Sequence, residues 1–172
     1  MAHPPIFQVV GYKKSGKTST LEKLIHYGDQ LGDRVAVVKH HGHTTPLDEA
    51  HRLNDSARLH ENGAFITSVT GADEVQMQMK SSLSLEKMVK WYSFLEPDLI
   101  LVEGYKKATY PKAVIIKKNE DLELLDLDNI QVVLTWEDNI LITRPVPVYS
   151  IHHWTENIEE LYSIIKGDHH SE

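Results

Sequence analysis

Short apolar runs of strand character alternate along this chain with segments whose apolar residues recur at helical spacing, a rhythm that predicts βαβ units around a mostly parallel sheet. Residues 6–10 read as the first strand. Over 16–31, Leu21, Leu24, Ile25 and Leu31 fall near one helical face, and Gly28 or Gly32 is placed to end the helix. Residues 35–38 form a short apolar strand, followed by a His-rich connection over 39–49 that contains Pro46. A helix is predicted over 54–61, with Gly63 at its carboxyl end.

Residues 64–69 and 74–79, joined by Gly71-Ala72-Asp73, predict an antiparallel hairpin in which Val75, Met77 and Met79 alternate with polar residues. Met77 and Met79 read as core or interface packing. The next helix, over 84–92, has Ser84 at its N-cap and Leu85, Met88 and Val89 at i, i+3, i+4 spacing. Residues 99–102 are all apolar, the pattern of a strand covered on both faces. Further strands are expected over 113–117, 132–136 and 147–151, with a closing helix over 155–165 and a frayed tail from 167. The acidic, Leu-rich stretch 118–129 fits a short hairpin or an irregular loop. With neither repeats nor linkers, residues 1–172 read as one domain.

Between the first strand and the first helix stands Gly11-Tyr12-Lys13-Lys14-Ser15-Gly16-Lys17-Thr18, which satisfies G-x-x-x-x-G-K-[ST] without mismatch. Strand, glycine-rich turn and helix in that order aim backbone N–H groups at a phosphate. Lys17 is expected to meet the terminal phosphates and Thr18 to ligate Mg²⁺, with Ser19 beside them. Glu103 ends the apolar run 99–102 and Gly104 turns the chain there, so Glu103 is the expected acidic partner. Its roles are an outer contact to Mg²⁺ or orientation of the attacking water, which makes Glu103 and Lys17 the candidate catalytic pair. Asp48 is a second candidate carboxylate near the metal, while Asp98 lies at the far end of its strand. These features predict a P-loop NTPase fold of three α/β/α layers, with the hairpin as an addition.

His40, His41 and His43, with Asp48 and His51, admit two readings: a transition-metal site, or the polar lining of a ligand cleft at the sheet's carboxyl edge. Lys106, Lys107 and Lys112 read either as holders of an anion or as a solvated charge run. A net charge of −7 disfavours non-specific nucleic-acid binding. The absence of cysteine excludes disulfides, thiolate metal sites and cysteine nucleophiles. No leader pattern and no apolar run of about 20 residues is present, so a cytoplasmic protein without a membrane span is expected.

Taken together, these blocks resemble the molybdopterin-guanine dinucleotide biosynthesis protein B, or MobB, family over about residues 6–165. The likeness rests on Val9-Val10-Gly11 through Thr18, Val38-Lys39-His40 through His43, and Asp55-Ser56 leading to Gly63-Ala64. It continues with Leu101-Val102-Glu103-Gly104-Tyr105-Lys106 and Pro111-Lys112. The resemblance implies GTP binding with Mg²⁺, weak GTP hydrolysis and a homodimer. It also implies an accessory role beside a molybdopterin guanylyltransferase when GMP is attached to molybdopterin. On this resemblance Gly16, Lys17 and Thr18 hold phosphates and metal, Glu103 is the acidic partner, and His40, His43 and Asp55 edge the cleft. No N-K-x-D guanine-reading tetrapeptide occurs, and Lys118-Asn119-Glu120-Asp121 does not fit, so guanine preference rests on the resemblance alone. The residues themselves leave open an ATP-dependent small-molecule kinase or ligase, and a nucleotide-gated adaptor or metallochaperone. Arg34, Arg52, Arg58 and Arg144 are scattered, which predicts slow turnover.

Overall fold

The structure is a computed structural model and describes residues 3–40 and 55–167. The chain divides into two compact units, one of residues 1–40 with 85–172 and one of residues 41–84.

The larger unit is built on a six-stranded sheet in the order β2-β5-β1-β6-β7-β8, parallel at every pairing. Its strands are β1 (Ile6–Gly11), β2 (Val35–Lys39), β5 (Leu99–Glu103), β6 (Lys112–Ile116), β7 (Ile130–Thr135) and β8 (Val148–Ser150). Period-two alternation divides each central strand between two cores. Phe7, Val9, Leu99, Leu101, Ala113, Ile115, Val132 and Leu134 face one side, packed with Leu21, Leu24, Trp154, Leu161 and Ile165 from the helical layer. That layer consists of α1 (Lys17–Leu31), α4 (Ile158–Lys166) and the 3-10 turn Trp154–Asn157 that leads into α4. On the other side Val10, Val114, Ile116 and Val133 pack with Leu124, Ile130 and Ile140. There, too, Val38, Ile100 and Val102 meet Leu85 and Val89 of α3 (Leu85–Ser93). The expected three layers are thus present.

Gly32, not Gly28, ends α1: it adopts φ 83° and its N–H bonds back into the last turn. Gly28 lies inside the helix for a packing reason. A Cβ there would stand 2.3 Å from Tyr162 Oη and 2.9 Å from Val35 Cγ2, so only glycine lets α1 approach α4 this closely. Tyr162 Oη donates to Asp33 Oδ2 at 2.8 Å, and Lys166 Nζ reaches the same oxygen at 3.0 Å. This cluster ties α4 to the turn after α1.

The stretch expected to form a hairpin or an irregular loop winds instead as a 3-10 helix, Asn119–Asp126. Its turn is fixed by Asp121, whose buried carboxylate accepts the Lys117 N–H at 2.9 Å, while Leu124 enters the core. Lys112 also departs from both readings offered for it. It opens β6 fully buried, its ammonium donating to the carbonyls of Ala108 and Asp128, so it holds loops together instead of lying solvated at the surface.

The smaller unit contains α2 (Asp55–Glu61), followed by β3 (Ile66–Thr70) and β4 (Val75–Met79) as the expected antiparallel pair. Gly63, with φ 111°, follows α2. Leu59, Phe65, Ile66, Val69, Val75 and Met77 of this unit are exposed. No described helix is long and apolar enough to cross a membrane.

Candidate functional site

β1 lies between β5 and β6, so the turn leaving its carboxyl end has a strand end on either side. This is the switch point at which open parallel sheets bind ligands. The turn itself needs residues tolerant of left-handed backbone: Gly16 has φ 99° and Lys14 φ 61°. At Gly11 a Cβ would meet Ser15 Oγ at 2.4 Å and the Ile115 carbonyl at 3.2 Å, so a side chain there would push the Ser15 hydroxyl aside and crowd β6. Helix α1 then starts with no side chain capping it and no acid in its first turn. Its amide dipoles are left for an external anion.

Three side chains gather at this helix start. Thr18 Oγ1 donates to Glu103 Oε2 at 3.0 Å, and Lys39 Nζ stands 3.2 Å from each of these oxygens. Sheet register causes the meeting, because Glu103 pairs with Val9 on one side and Lys39 on the other. Glu103 is buried, its side chain 9% exposed, whereas that of Lys39 is 55% exposed. Lys17 Nζ folds back onto the Tyr12 carbonyl at 2.7 Å. Burial pushes the Lys17 ammonium below its ordinary value, Glu103 opposes that shift, and Lys39 adds to it. Lys106 Nζ sits 3.5 Å over the Tyr12 ring, with burial and then Lys17 lowering its pKa. Lys17 and Lys39 thus both act on the Glu103 carboxylate, while Lys106 faces Asp121 and the Tyr12 hydroxyl donates to Glu123.

Beneath the site, the buried Gln8 amide donates to the carbonyls of Gly104 and Tyr105 at 3.0 and 3.1 Å, pinning the turn after Glu103. Gly104 has φ 86° and Tyr105 φ 51°. The His40 ring lies 4.6 Å from that of Tyr105, beside this turn. Asp98 is at the opposite end of β5, accepting the Arg34 N–H at 2.8 Å, as its position in the strand predicted.

The sequence model described as MobB, "Molybdopterin guanine dinucleotide synthesis protein B", matches residues 6–136, three-quarters of the chain. The chain belongs to the MobB family. A Bacillus subtilis relative named "Probable molybdopterin-guanine dinucleotide biosynthesis adapter protein" is 38% identical over 130 residues, covering 76% of this chain and 75% of its own. The Haemophilus influenzae molybdopterin-guanine dinucleotide biosynthesis adapter protein is 29% identical, covering 72% and 70%. Among solved structures, a MobB homologue from Bacillus stearothermophilus superposes with TM-score 0.76 at 34% identity, covering 94% of this chain and 98% of its own. MobB of Bacillus subtilis does so with TM-score 0.80 at 30% identity, covering 95% and 99%.

Within this MobB-family fold the residues predicted from sequence divide into three groups. Gly11 through Ser19 form the loop and helix start, and Lys17, Thr18 and Glu103 converge there with His40 at the adjoining strand end. Asp55 belongs to the smaller unit, where it pairs with Arg58 at 3.5 Å. His41, His43, Asp48 and His51 lie outside the described residues. Among the described residues no three His, Asp or Glu side chains group as a metal site. Sequence reasoning assigned no role to Lys39 or Trp136. Both stand at strand carboxyl ends, a position that could have singled them out.

Proposed function

We propose that this chain binds GTP with Mg²⁺, hydrolyses it slowly, and serves as an accessory protein when GMP is attached to molybdopterin in molybdenum cofactor biosynthesis. The pathway comes from the names its relatives carry. The chemistry rests on one observation: a glycine-opened loop whose lysine, threonine and strand-end glutamate meet at an uncapped helix start.

The groups present suit that ligand. Backbone N–H groups of residues 14–18 and the Lys17 ammonium would receive the polyphosphate, which replaces the Tyr12 carbonyl as the partner of Lys17. Thr18 and Glu103 would hold Mg²⁺, a reading supported by the Lys39 ammonium lying 3.2 Å from both of their oxygens. Mg²⁺ at these residues would supply charge neutralisation to the terminal phosphates. Glu103, buried and acceptor-only when ionised, orients a water for attack. The Arg34 guanidinium is spent on the carbonyls of Leu95 and Glu96, and among the described residues the cations at the loop are lysines, which lack an arginine's forked donors. Slow turnover follows.

Pairing of two chains would explain the smaller unit. A two-stranded hairpin is marginal in water on its own, and this one exposes Phe65, Val69, Val75 and Met77. A second copy is the partner we propose for it, giving the homodimer.

Calorimetry with Mg²⁺ tests the first claim: GTP is expected to bind wild-type protein and to prefer it over ATP, with Lys17→Ala abolishing binding in a folded chain. Undiminished affinity in that variant would overturn the assignment. Glu103→Gln should keep nucleotide binding and lose most hydrolysis, and unaltered hydrolysis would leave Glu103 without a chemical role.

A further inference from the structure

Alongside the P-loop is a cleft of about 320 Å³ that the phosphate chemistry does not use. One wall is the loop and first helical turn, at Lys14, Gly16 and Ser19. The other comes from the carboxyl ends of β7 and β8, at Trp136 and His152. Its size stands at the small end of the roughly 300–1,000 Å³ typical of small-molecule sites, enough for a single fused ring system.

The indole in this cleft is held rigidly against the loop. Trp136 Nε1 donates to the Ser15 carbonyl at 2.8 Å, and a Cβ on Gly16 would lie in ordinary contact with the Trp136 ring at 3.7 Å. The His152 ring meets the indole edge-on at 5.3 Å, and Lys117 Nζ stands 4.9 Å from the indole centroid. An amphipathic ring at a strand end, partly exposed and braced by three neighbours, is a pre-organised stacking surface. No acidic side chain lines the cleft, whereas Lys14 and Lys23 bring donors. Such donors suit guanine, whose O6 and N7 are both acceptors, over adenine, which offers one acceptor and one donor on that edge.

We infer that this cleft receives the guanine ring of the nucleotide whose phosphates occupy the P-loop, stacked on Trp136. The inference rests on the P-loop reading and supplies what the missing N-K-x-D tetrapeptide leaves unexplained, a place for the base. Ser19 and Gly16 belong to the loop and the cleft at once, so one ligand can span both. The family match stops at residue 136, and His152 lies beyond it.

Calorimetry of wild type, Trp136→Ala and Trp136→Phe with Mg²⁺-GTP and with inorganic tripolyphosphate, which has no base, separates the two claims. Wild type is expected to bind GTP about 5- to 150-fold more tightly than tripolyphosphate, the range of one stacked base. Trp136→Ala should bring GTP to the tripolyphosphate level while tripolyphosphate affinity holds. Trp136→Phe, a ring without the N–H, should keep most of the gap. Equal affinity of wild type for both ligands, or a gap that survives Trp136→Ala, overturns the inference and spares the phosphate reading. Parallel losses for both ligands in Trp136→Ala would make the indole a brace for Ser15 and overturn it as well. If wild type binds neither ligand, the phosphate reading itself fails.

Discussion

Replacing Lys39 with methionine, which keeps the apolar stem and removes the ammonium, is expected to tighten divalent-cation binding at Thr18 and Glu103. A metal held at those oxygens would need the space beside them that the ammonium fills. The Lys39 ammonium is 3.2 Å from both, so metal and ammonium exclude one another. Coulomb's law at that separation and an effective dielectric of about 20 gives roughly 5 kcal/mol of gross attraction between Lys39 and Glu103. Most of it is screened, because the Lys39 side chain is 55% exposed. Measured pairs of this kind retain about 0.2–1 kcal/mol, and the burial of Glu103 places this one near the upper end. Freed of that competitor, a metal should bind about fivefold more tightly. Mn²⁺ titration followed by the paramagnetic resonance of the free ion reads the change, with and without GTP. Lys39→Arg should behave like wild type, since it keeps the charge. Unchanged or weaker Mn²⁺ binding in Lys39→Met would refute the reasoning and make Lys39 an organiser of the two oxygens.

Gly28→Ala should destabilise the protein by about 1–2 kcal/mol, although alanine gains about 1 kcal/mol inside an ordinary helix. The added methyl displaces the Tyr162 hydroxyl from Asp33, so a rise in melting temperature would contradict the packing described here. Burial pushes the Asp33 carboxyl up, but hydrogen bonds from Lys166 and Tyr162 outweigh it and hold the group below its ordinary value. A depressed folded pKa means stability that is complete above the unfolded value of about 3.9 and is lost as pH falls through the folded one. Asp33→Asn should therefore lose stability at neutral pH and flatten the acid limb of the melting curve. An acid limb as steep as that of wild type would remove Asp33 from the account.

The parts of the site set by local pattern were legible from the sequence. The P-loop has four fixed positions and needs only a strand before it and a helix after it, and residues 99–102 announce a covered strand because no polar residue interrupts them. What was hidden depends on partners distant in sequence. Leucines 122, 124, 125 and 127 fit neither a period of two nor one of 3.6, and the 3-10 turn they adopt is settled by Asp121 reaching the Lys117 amide. Lys112 looked like a surface cation because a sequence does not show that two loop carbonyls await its ammonium inside the sheet. Gly28 looked like a helix stop because the neighbour demanding it, Tyr162, belongs to another helix. Trp136 was expected to close a strand that ends one residue earlier, at Thr135, and its bond to Ser15 is tertiary and had no local signal.

Because Lys39 and Glu103 face each other as partners on adjoining parallel strands, the contact between them is protected from changes in the connection that joins those strands. Insertions or deletions between residues 40 and 84 leave it untouched. A single residue lost within 35–38 would be different in kind: it would reverse which side of the sheet every later position in that strand addresses, turning the ammonium away from the carboxylate. Homologues should accordingly vary freely in the length of the intervening segment and hold the parity of this short strand constant.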